Sequence, residues 1–217
     1  MKKHITSAAM ALGAALLAAF PAQAASLITN GSFEYGNTSG SFSNEGAGST
    51  NIFGWTVDTG SVDYISSYWA ASDGARSIDI AGSAIGALSQ SFTTVAGNAY
   101  KVTFDLASNP DLQGARDLLV SINGGTPITF THPGSTGHDA AGMNWTGQSF
   151  TFLATGANTT LTFTTNGTAQ TYFGPALDNV AVTGVPEPAA WAMLLGGFAL
   201  VGGSMRRRRT ATAVTFA

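Results

Sequence analysis

The stretch Tyr100-Lys101-Val102-Thr103-Phe104-Asp105-Leu106 puts Tyr100, Val102, Phe104 and Leu106 on one face and Lys101, Thr103 and Asp105 on the other. Successive side chains of a strand point to opposite sides, so this alternation predicts a strand with one face on a core. Leu118, Val120 and Ile122 repeat the pattern, as do Phe150 with Phe152 and Leu161 with Phe163. Further strand candidates are residues 52–57, 61–65, 76–81, 87–93, 127–131 and 176–182. Between the two ends of the chain, no long stretch carries apolar residues at helical spacing. Asn123-Gly124-Gly125 and Thr155-Gly156-Ala157-Asn158 have the composition of hairpin connections. Residues 36–50, rich in Ser, Gly and Asn, read as a surface loop. Many short strands at this spacing predict an all-β fold, an antiparallel β-sandwich of jelly-roll type.

Working outward, both ends of the 217-residue chain differ from this middle. At the start, Lys2 and Lys3 precede an apolar run from Ala8 to Phe20, Pro21 breaks it, and Ala22-Gln23-Ala24 offers small residues at a cleavage spacing. That order predicts a signal peptide over residues 1–24. At the other end Val185-Pro186-Glu187-Pro188 is followed by an apolar or small run over residues 189–205 and then by Arg206, Arg207, Arg208 and Arg209. As a helix the run would span about 25 Å, just short of a hydrocarbon core, with the arginines held in the cytoplasm. The expectation is a C-terminal transmembrane helix interrupted by Gly196, Gly197, Gly202 and Gly203. Residues 25–184 remain for one domain, and residues 210–217 form a short tail.

Within residues 25–184 three basic side chains, Arg76, Lys101 and Arg116, stand against eleven acidic ones, a formal charge of −8. Such a domain repels phosphate backbones, so nucleic acid is excluded as an expected partner, while cations such as Ca²⁺ are favoured. The chain has no cysteine, which rules out thiolate catalysis and thiolate metal sites.

The motif, apolar run and arginine cluster over residues 185–209 resemble the PEP-CTERM sorting signal. That resemblance implies processing by an exosortase near the Pro-Glu-Pro motif. It also implies transient anchoring in the inner membrane and delivery to the cell surface or an extracellular exopolysaccharide matrix. In the middle, Asn30-Gly31-Ser32-Phe33-Glu34 and Leu177-Asp178-Asn179-Val180 resemble the two ends of galactose-binding-like, carbohydrate-binding sandwiches. Gly54-Trp55-Thr56-Val57, Gly60-Ser61-Val62-Asp63-Tyr64-Ile65, Tyr68-Trp69 and Asp73-Gly74-Ala75-Arg76-Ser77-Ile78-Asp79 follow between them. In that order they resemble the choice-of-anchor C family of bacterial surface domains. The resemblance implies fold and address more than activity.

Candidate chemistry is sparse. His132 and His138, with Asp139 adjacent, flank a Gly-rich loop and read either as ordinary loop residues or as a metal or acid–base pair. No nucleophile elbow, HExxH helix or phosphate-binding loop is present. Trp55, Tyr64, Tyr68, Trp69 and Trp145 are either core residues or a sugar-stacking platform, with Tyr68 and Trp69 the better candidates for ligand contact. In residues 176–182, Asp178 shares a face with Val180 and Val182, which predicts a carboxylate at the core rim. A buried carboxylate needs a partner or a metal. Similar sandwiches tie their first and last strands with a cation, which implies a structural Ca²⁺ held by Glu34 and Asp178 with backbone carbonyls. Asp73, in a turn, is a third candidate ligand, and Asp79 alternates out of phase with Ile78 and Ile80. The alternative is that Asp178 caps backbone amides.

Two functional classes follow: a non-catalytic surface or matrix protein that binds polysaccharide, or an extracellular carbohydrate-active hydrolase. The first is expected, because no catalytic constellation is visible. The leader generates a direct prediction. N-terminal sequencing of the exported protein should begin at Ala25, and a start at Met1 would reject the signal-peptide reading.

Overall fold

The computed structural model describes residues 25–134, 140–166, 172–186 and 188–207. The signal-peptide segment, His138, Asp139, Glu187, Arg208, Arg209 and the tail lie outside the described residues. The strands are β1 (Phe42–Gly46), β2 (Thr56–Thr59), β3 (Ser61–Ile65), β4 (Ser77–Asp79), β5 (Ala87–Thr93) and β6 (Ala99–Ser108). They continue with β7 (Arg116–Ile122), β8 (Ile128–His132), β9 (Thr146–Leu153), β10 (Asn158–Thr165) and β11 (Pro175–Gly184), and one helix follows, α1 (Pro188–Arg207). The strands form two antiparallel sheets, one of six in the order β1-β3-β4-β11-β6-β9 and one of five in the order β2-β5-β10-β7-β8. The all-β antiparallel sandwich is as expected.

The alternation over Tyr100–Leu106 works as read. Tyr100, Val102, Phe104 and Leu106 face a core shared with Val62, Tyr64 and Ile78 of the same sheet and with Leu88, Leu118, Val120, Leu161 and Phe163 of the other. Aromatic rings thread the centre: Phe33 and Trp55 lie 5.3 Å apart, Trp55 and Phe163 6.1 Å, and Phe163 and Phe104 5.5 Å. The buried Trp55 indole satisfies its N–H by donating to the Asn30 carbonyl at 3.0 Å. The opening segment is laid against β11, with the Leu27 amide on Val182 O at 2.8 Å and the Val180 amide on Gly31 O at 2.9 Å.

Several local expectations need correction. The loop expected over residues 36–50 contains β1, whose sequence FSNEG carries one large apolar residue and is a strand because β3 pairs with it. Residues 52–55 form a turn, closed by the Trp55 amide on Ile52 O, so only the end of the 52–57 candidate enters β2. Asn123 and Gly124 both have positive φ, 51° and 68°, and turn β7 into β8 as expected. Thr155-Gly156-Ala157-Asn158 instead carries the chain from β9 in one sheet to β10 in the other, so it is a crossing and not a hairpin.

Two corrections bear on function. In β11 the register shifts between Asp178 and Ala181, and Asn179 sits at φ 50°. This bulge breaks the two-residue phase. Leu177, Val180 and Val182 reach the core, whereas Asp178 falls on the outward face, paired with Asp105. The C-terminal segment does form a helix, but among the described residues no helix is long and apolar enough to cross a membrane. Four glycines and Ser204 dilute its apolar run, so the expected transmembrane helix is replaced by a helix that leaves Leu195, Phe198 and Leu200 exposed.

Because Trp55 bridges Phe33 and Phe163 and keeps a buried hydrogen bond, its removal opens a large hole at the sandwich centre. Trp55→Ala should lose about 3–5 kcal/mol of stability in denaturant unfolding. A loss under about 1 kcal/mol would show that the ring cluster is not the centre of the core.

Candidate functional site

The outward face of the six-stranded sheet is built from residues the core does not use. Pairing places Asn44 of β1 opposite Asp63 of β3, Asp63 opposite Asp79 of β4, Asp79 opposite Ala176 of β11, and Ala176 opposite Ala107 of β6. A parallel row runs through Phe42, Ile65 and Ser77. In the middle of the sheet two loops cover this face. Ile65, Trp69, Ala107, Met143 and Ala176 form a second apolar cluster there, with Trp145 against it. The Trp69 indole donates to Ser77 Oγ at 2.8 Å, and the Trp145 indole to Ala70 O at 3.0 Å.

Toward β1 the cover stops and a cleft of about 340 Å³ opens. Its rim is aromatic. Phe42 and Tyr68 meet edge to face at 5.4 Å and are 41% and 39% exposed, and Tyr172 is 58% exposed. Its floor is polar. Asp79 is fully buried; its Oδ1 accepts from the amides of Ala81 at 2.8 Å and Gly174 at 3.0 Å, and its Oδ2 from Asn109 Nδ2 at 2.7 Å. Burial pushes its carboxyl up to about 7, and the hydrogen bonds oppose that rise. Asp63 is also pushed up by burial, with the hydrogen bond from Asn44 Nδ2 at 2.6 Å working against it.

Local backbone holds this arrangement. A Cβ at Gly174 would stand 2.1 Å from Asp79 Oδ1, so only glycine lets that amide reach the carboxylate. Tyr172 sits at φ 76°, which a bulky residue adopts only under constraint. Its amide donates to Gly82 O at 2.8 Å, and its carbonyl accepts from Asn109 Nδ2 at 3.0 Å. Tyr68 donates to Asp111 Oδ2 at 2.6 Å, and the Asp111 amide donates to Asn109 Oδ1 at 2.9 Å.

The adjacent pair Tyr68 and Trp69 is therefore divided, Tyr68 on the rim and Trp69 buried beneath. Trp55 and Tyr64 are core residues. His132 is buried in β8, its Nδ1 3.0 Å from Ser108 Oγ and its Nε2 3.1 Å from Asn144 O, a structural role.

Glu34, Asp73 and Asp178 do converge, on the turn Ser72–Arg76, but what faces them is largely amide nitrogen. Glu34 Oε1 accepts from the amides of Ala75 and Arg76 at 2.8 and 2.9 Å. Asp178 Oδ2 accepts from those of Ser72 and Asp73 at 2.8 and 2.9 Å, and its Oδ1 from Asn179 at 2.6 Å. Asp73 accepts from Ser32 Oγ at 2.6 Å. A Cβ at Gly74 would lie 2.4 Å from Glu34 Oε1, so the turn approaches as closely as glycine permits. Among the described residues no group of three or more His, Cys, Asp or Glu side chains is placed to hold a metal ion. These donors form the amide capping that was the alternative to calcium in the sequence reading. Asp178 is raised to about 7, chiefly by burial.

Phe42, Asn44, Asp63, Asp79, Asn109, Asp111 and Tyr172 were not singled out as a site by sequence reasoning. A usable signal existed in Asp63 and Asp79, each a carboxylate at the off-core phase of an otherwise apolar strand. The Asp79 shift sets a testable pH dependence. The folded chain holds this proton to about pH 7, whereas the unfolded chain releases it near the ordinary carboxylate value of 3.8. Its contribution to stability is thus full below that lower value and is lost as pH rises through the higher one. Asp79→Asn removes this titrating group. Its melting temperature relative to wild type should climb between about pH 4.5 and 7.5; a constant difference would refute the assignment.

Among known proteins, halomucin of Haloquadratum walsbyi is 34% identical over 183 residues, covering 81% of this chain and 2% of halomucin. The chain thus spans a small fraction of that relative. TmCBM61, solved with β-1,4-galactotriose, superposes with a TM-score of 0.45 and 16% identity over 74% of this chain and 99% of that one. A family 35 carbohydrate binding module from Clostridium thermocellum gives 0.41 and 14% over 60% and 88%. The GH26-CBM35 β-(1,4)-mannanase of Podospora anserina gives 0.43 and 15% over 68% and 29%. Residues 26–183 match the family described as "Protein of unknown function (DUF642)", and the chain belongs to that family.

Proposed function

We propose that the chain is an exported, non-catalytic surface protein whose sandwich binds carbohydrate in the cleft between Phe42, Tyr68 and Tyr172. The observation that carries this reading is the pairing of an exposed aromatic rim with a floor of amides and carboxylates. A sugar ring presents an apolar C–H face and an edge of hydroxyls. The first matches aromatic faces, and the second matches fixed acceptors and donors such as Asp63, Asn44 and Asn109. The cleft is rigidly founded, because its floor residues sit on β1, β3 and β4 and on loops tied to them by hydrogen bonds.

The leader-like start and the Val185-Pro186-Glu187-Pro188 tail support export and sorting to the cell surface or its matrix. In this reading an exosortase-type enzyme is the processing partner. A hydrolase would need two carboxylates that both meet the ligand. Asp79 has no exposed surface and both oxygens engaged, so the Asp63–Asp79 pair does not meet that need.

The test is a glycan-binding screen of the purified protein that includes the host's own exopolysaccharide. Phe42→Ala and Tyr68→Ala should each weaken the binding found by about tenfold, the scale of one aromatic contact. Binding indifferent to both substitutions would place the ligand elsewhere, and release of shortened sugars would overturn the non-catalytic reading.

A further inference from the structure

We infer that the sugar taken by this cleft is a cationic one, a hexosamine with a free amino group, and that Asp63 reads its charge. The inference rests on the carbohydrate reading above and names the ligand class within it.

The first observation concerns carboxylate bookkeeping. Four carboxylates are buried among the described residues: Glu45, Asp63, Asp79 and Asp178. Glu45 has both oxygens bonded, one by Ser43 Oγ and the other by Ser49 Oγ and Asn51 Nδ2. Asp79 and Asp178 are likewise engaged at both oxygens. Asp63, only 8% exposed, is the exception. Its Oδ1 takes the Asn44 amide, and its Oδ2 has no hydrogen-bond donor among the described residues. This oxygen belongs to a side chain that lines the cleft. Facing the cleft, this oxygen is open to a donor from outside the chain, so a ligand group that donates there replaces water without displacing any internal bond.

The second observation concerns charge. Asp63, Asp79 and Asp111 all line the cleft, and Asp63 and Asp79 are direct cross-strand neighbours. None of the domain's three basic residues lines it. Arg76 lies over the Tyr64 ring at 5.2 Å and donates to Gly36 O. Arg116 donates to the carbonyls of Phe173, Ala115 and Leu112, and Lys101 is exposed on β6 between Thr151 and Thr183. A uronate or sulfated sugar would therefore meet repulsion without a counter-charge. A hydroxyl would satisfy Asp63 Oδ2 but bring no positive charge to the Asp63 and Asp111 carboxylates that line the cleft. An ammonium supplies the donor and the compensating charge together, and charge-assisted hydrogen bonds are the stronger kind.

The third observation is the rim. Phe42, Tyr68 and Tyr172 are exposed aromatic rings at the cleft, and aromatic rings attract a cation as well as a sugar's C–H face. Gly82 completes the cradle: a Cβ there would stand 2.2 Å from Asn44 Nδ2 and 2.9 Å from Asp63 Oδ1, so a side chain would break the Asn44–Asp63 pair.

The experiment titrates the purified protein with three β-1,4-linked tetrasaccharides of equal length: glucosamine, N-acetylglucosamine and glucose. The free-amine form should bind at least about tenfold tighter than the other two, the scale of one charged hydrogen bond. Asp63→Asn, near in shape to the native residue, should bring that ratio close to one. Raising salt from about 20 to 200 mM should weaken free-amine binding to wild type several-fold and leave neutral binding unchanged. The salt series needs no variant, so it stands even if Asp63→Asn folds poorly. Equal binding of free-amine and neutral forms overturns the charge reading and leaves the carbohydrate reading standing. So does a preference that survives both Asp63→Asn and high salt. Binding of none of the three overturns the amino-sugar reading, while the wider glycan screen decides the carbohydrate reading.

Discussion

A carboxylate taken out of water must find donors, and in this protein the loops of the outward face are folded around that requirement. Asp79 draws in the amides of Ala81 and Gly174 and the Asn109 side chain. Asp178 draws in Ser72 and Asp73, and Glu34 draws in Ala75 and Arg76. Apart from the local Asp79–Ala81 bond, each of these joins a strand or the opening segment to a distant loop, so the acids act as fasteners between sheet and cover. Leaving one such buried group unmatched costs about 1–3 kcal/mol, comparable to a sizeable share of a domain's net stability. The cleft exists because this fastening stops short of β1, where Asn44 alone meets Asp63.

The sandwich was legible because β6, β7 and β10 alternate through the core, and period-two patterning reports burial directly. Where burial is one-sided and the exposed face is polar, the pattern thins. Phe42-Ser43-Asn44-Glu45-Gly46 looks like the loop around it, since its stability comes from pairing with β3 and not from its own apolar residues. Residues 76–81 do alternate, yet only Ser77–Asp79 is strand, because the Asp79 carboxylate turns back to bond the Ala81 amide.

The site was less legible, and the reason is geometric. A single bulge at Asn179 reverses the phase of Asp178, moving it from an inferred core rim to the outward face, and no local residue pattern announces a bulge of this kind. Glu34 and Asp178 both meet the turn Ser72–Arg76, and the donors waiting there are backbone amides, which sequence does not display. Tyr68 and Trp69 show the same limit at shorter range. The indole has an internal acceptor in Ser77 and is buried; the phenol has Asp111 at the rim and stays exposed.

The two sheet faces thus divide the work of the chain by chemistry. The inward face is apolar and aromatic, and its residues are interchangeable in kind if not in shape, as a core permits. The outward face mixes a small apolar cluster with buried polar groups, and those polar groups tolerate less exchange because named partners hold them. Tyr172 makes the point most sharply. A bulky residue at φ 76° is strained, and the strain persists because Gly82 and Asn109 hold its amide and carbonyl from two sides. Asn109 is in turn bound to Asp79, so the conformation of the rim is set by a carboxylate buried beneath the floor. Rim, floor and fastener form one connected network. A ligand entering this cleft meets side chains already held in place, and the ordering cost that a loose loop site would impose on binding is borne by the fold.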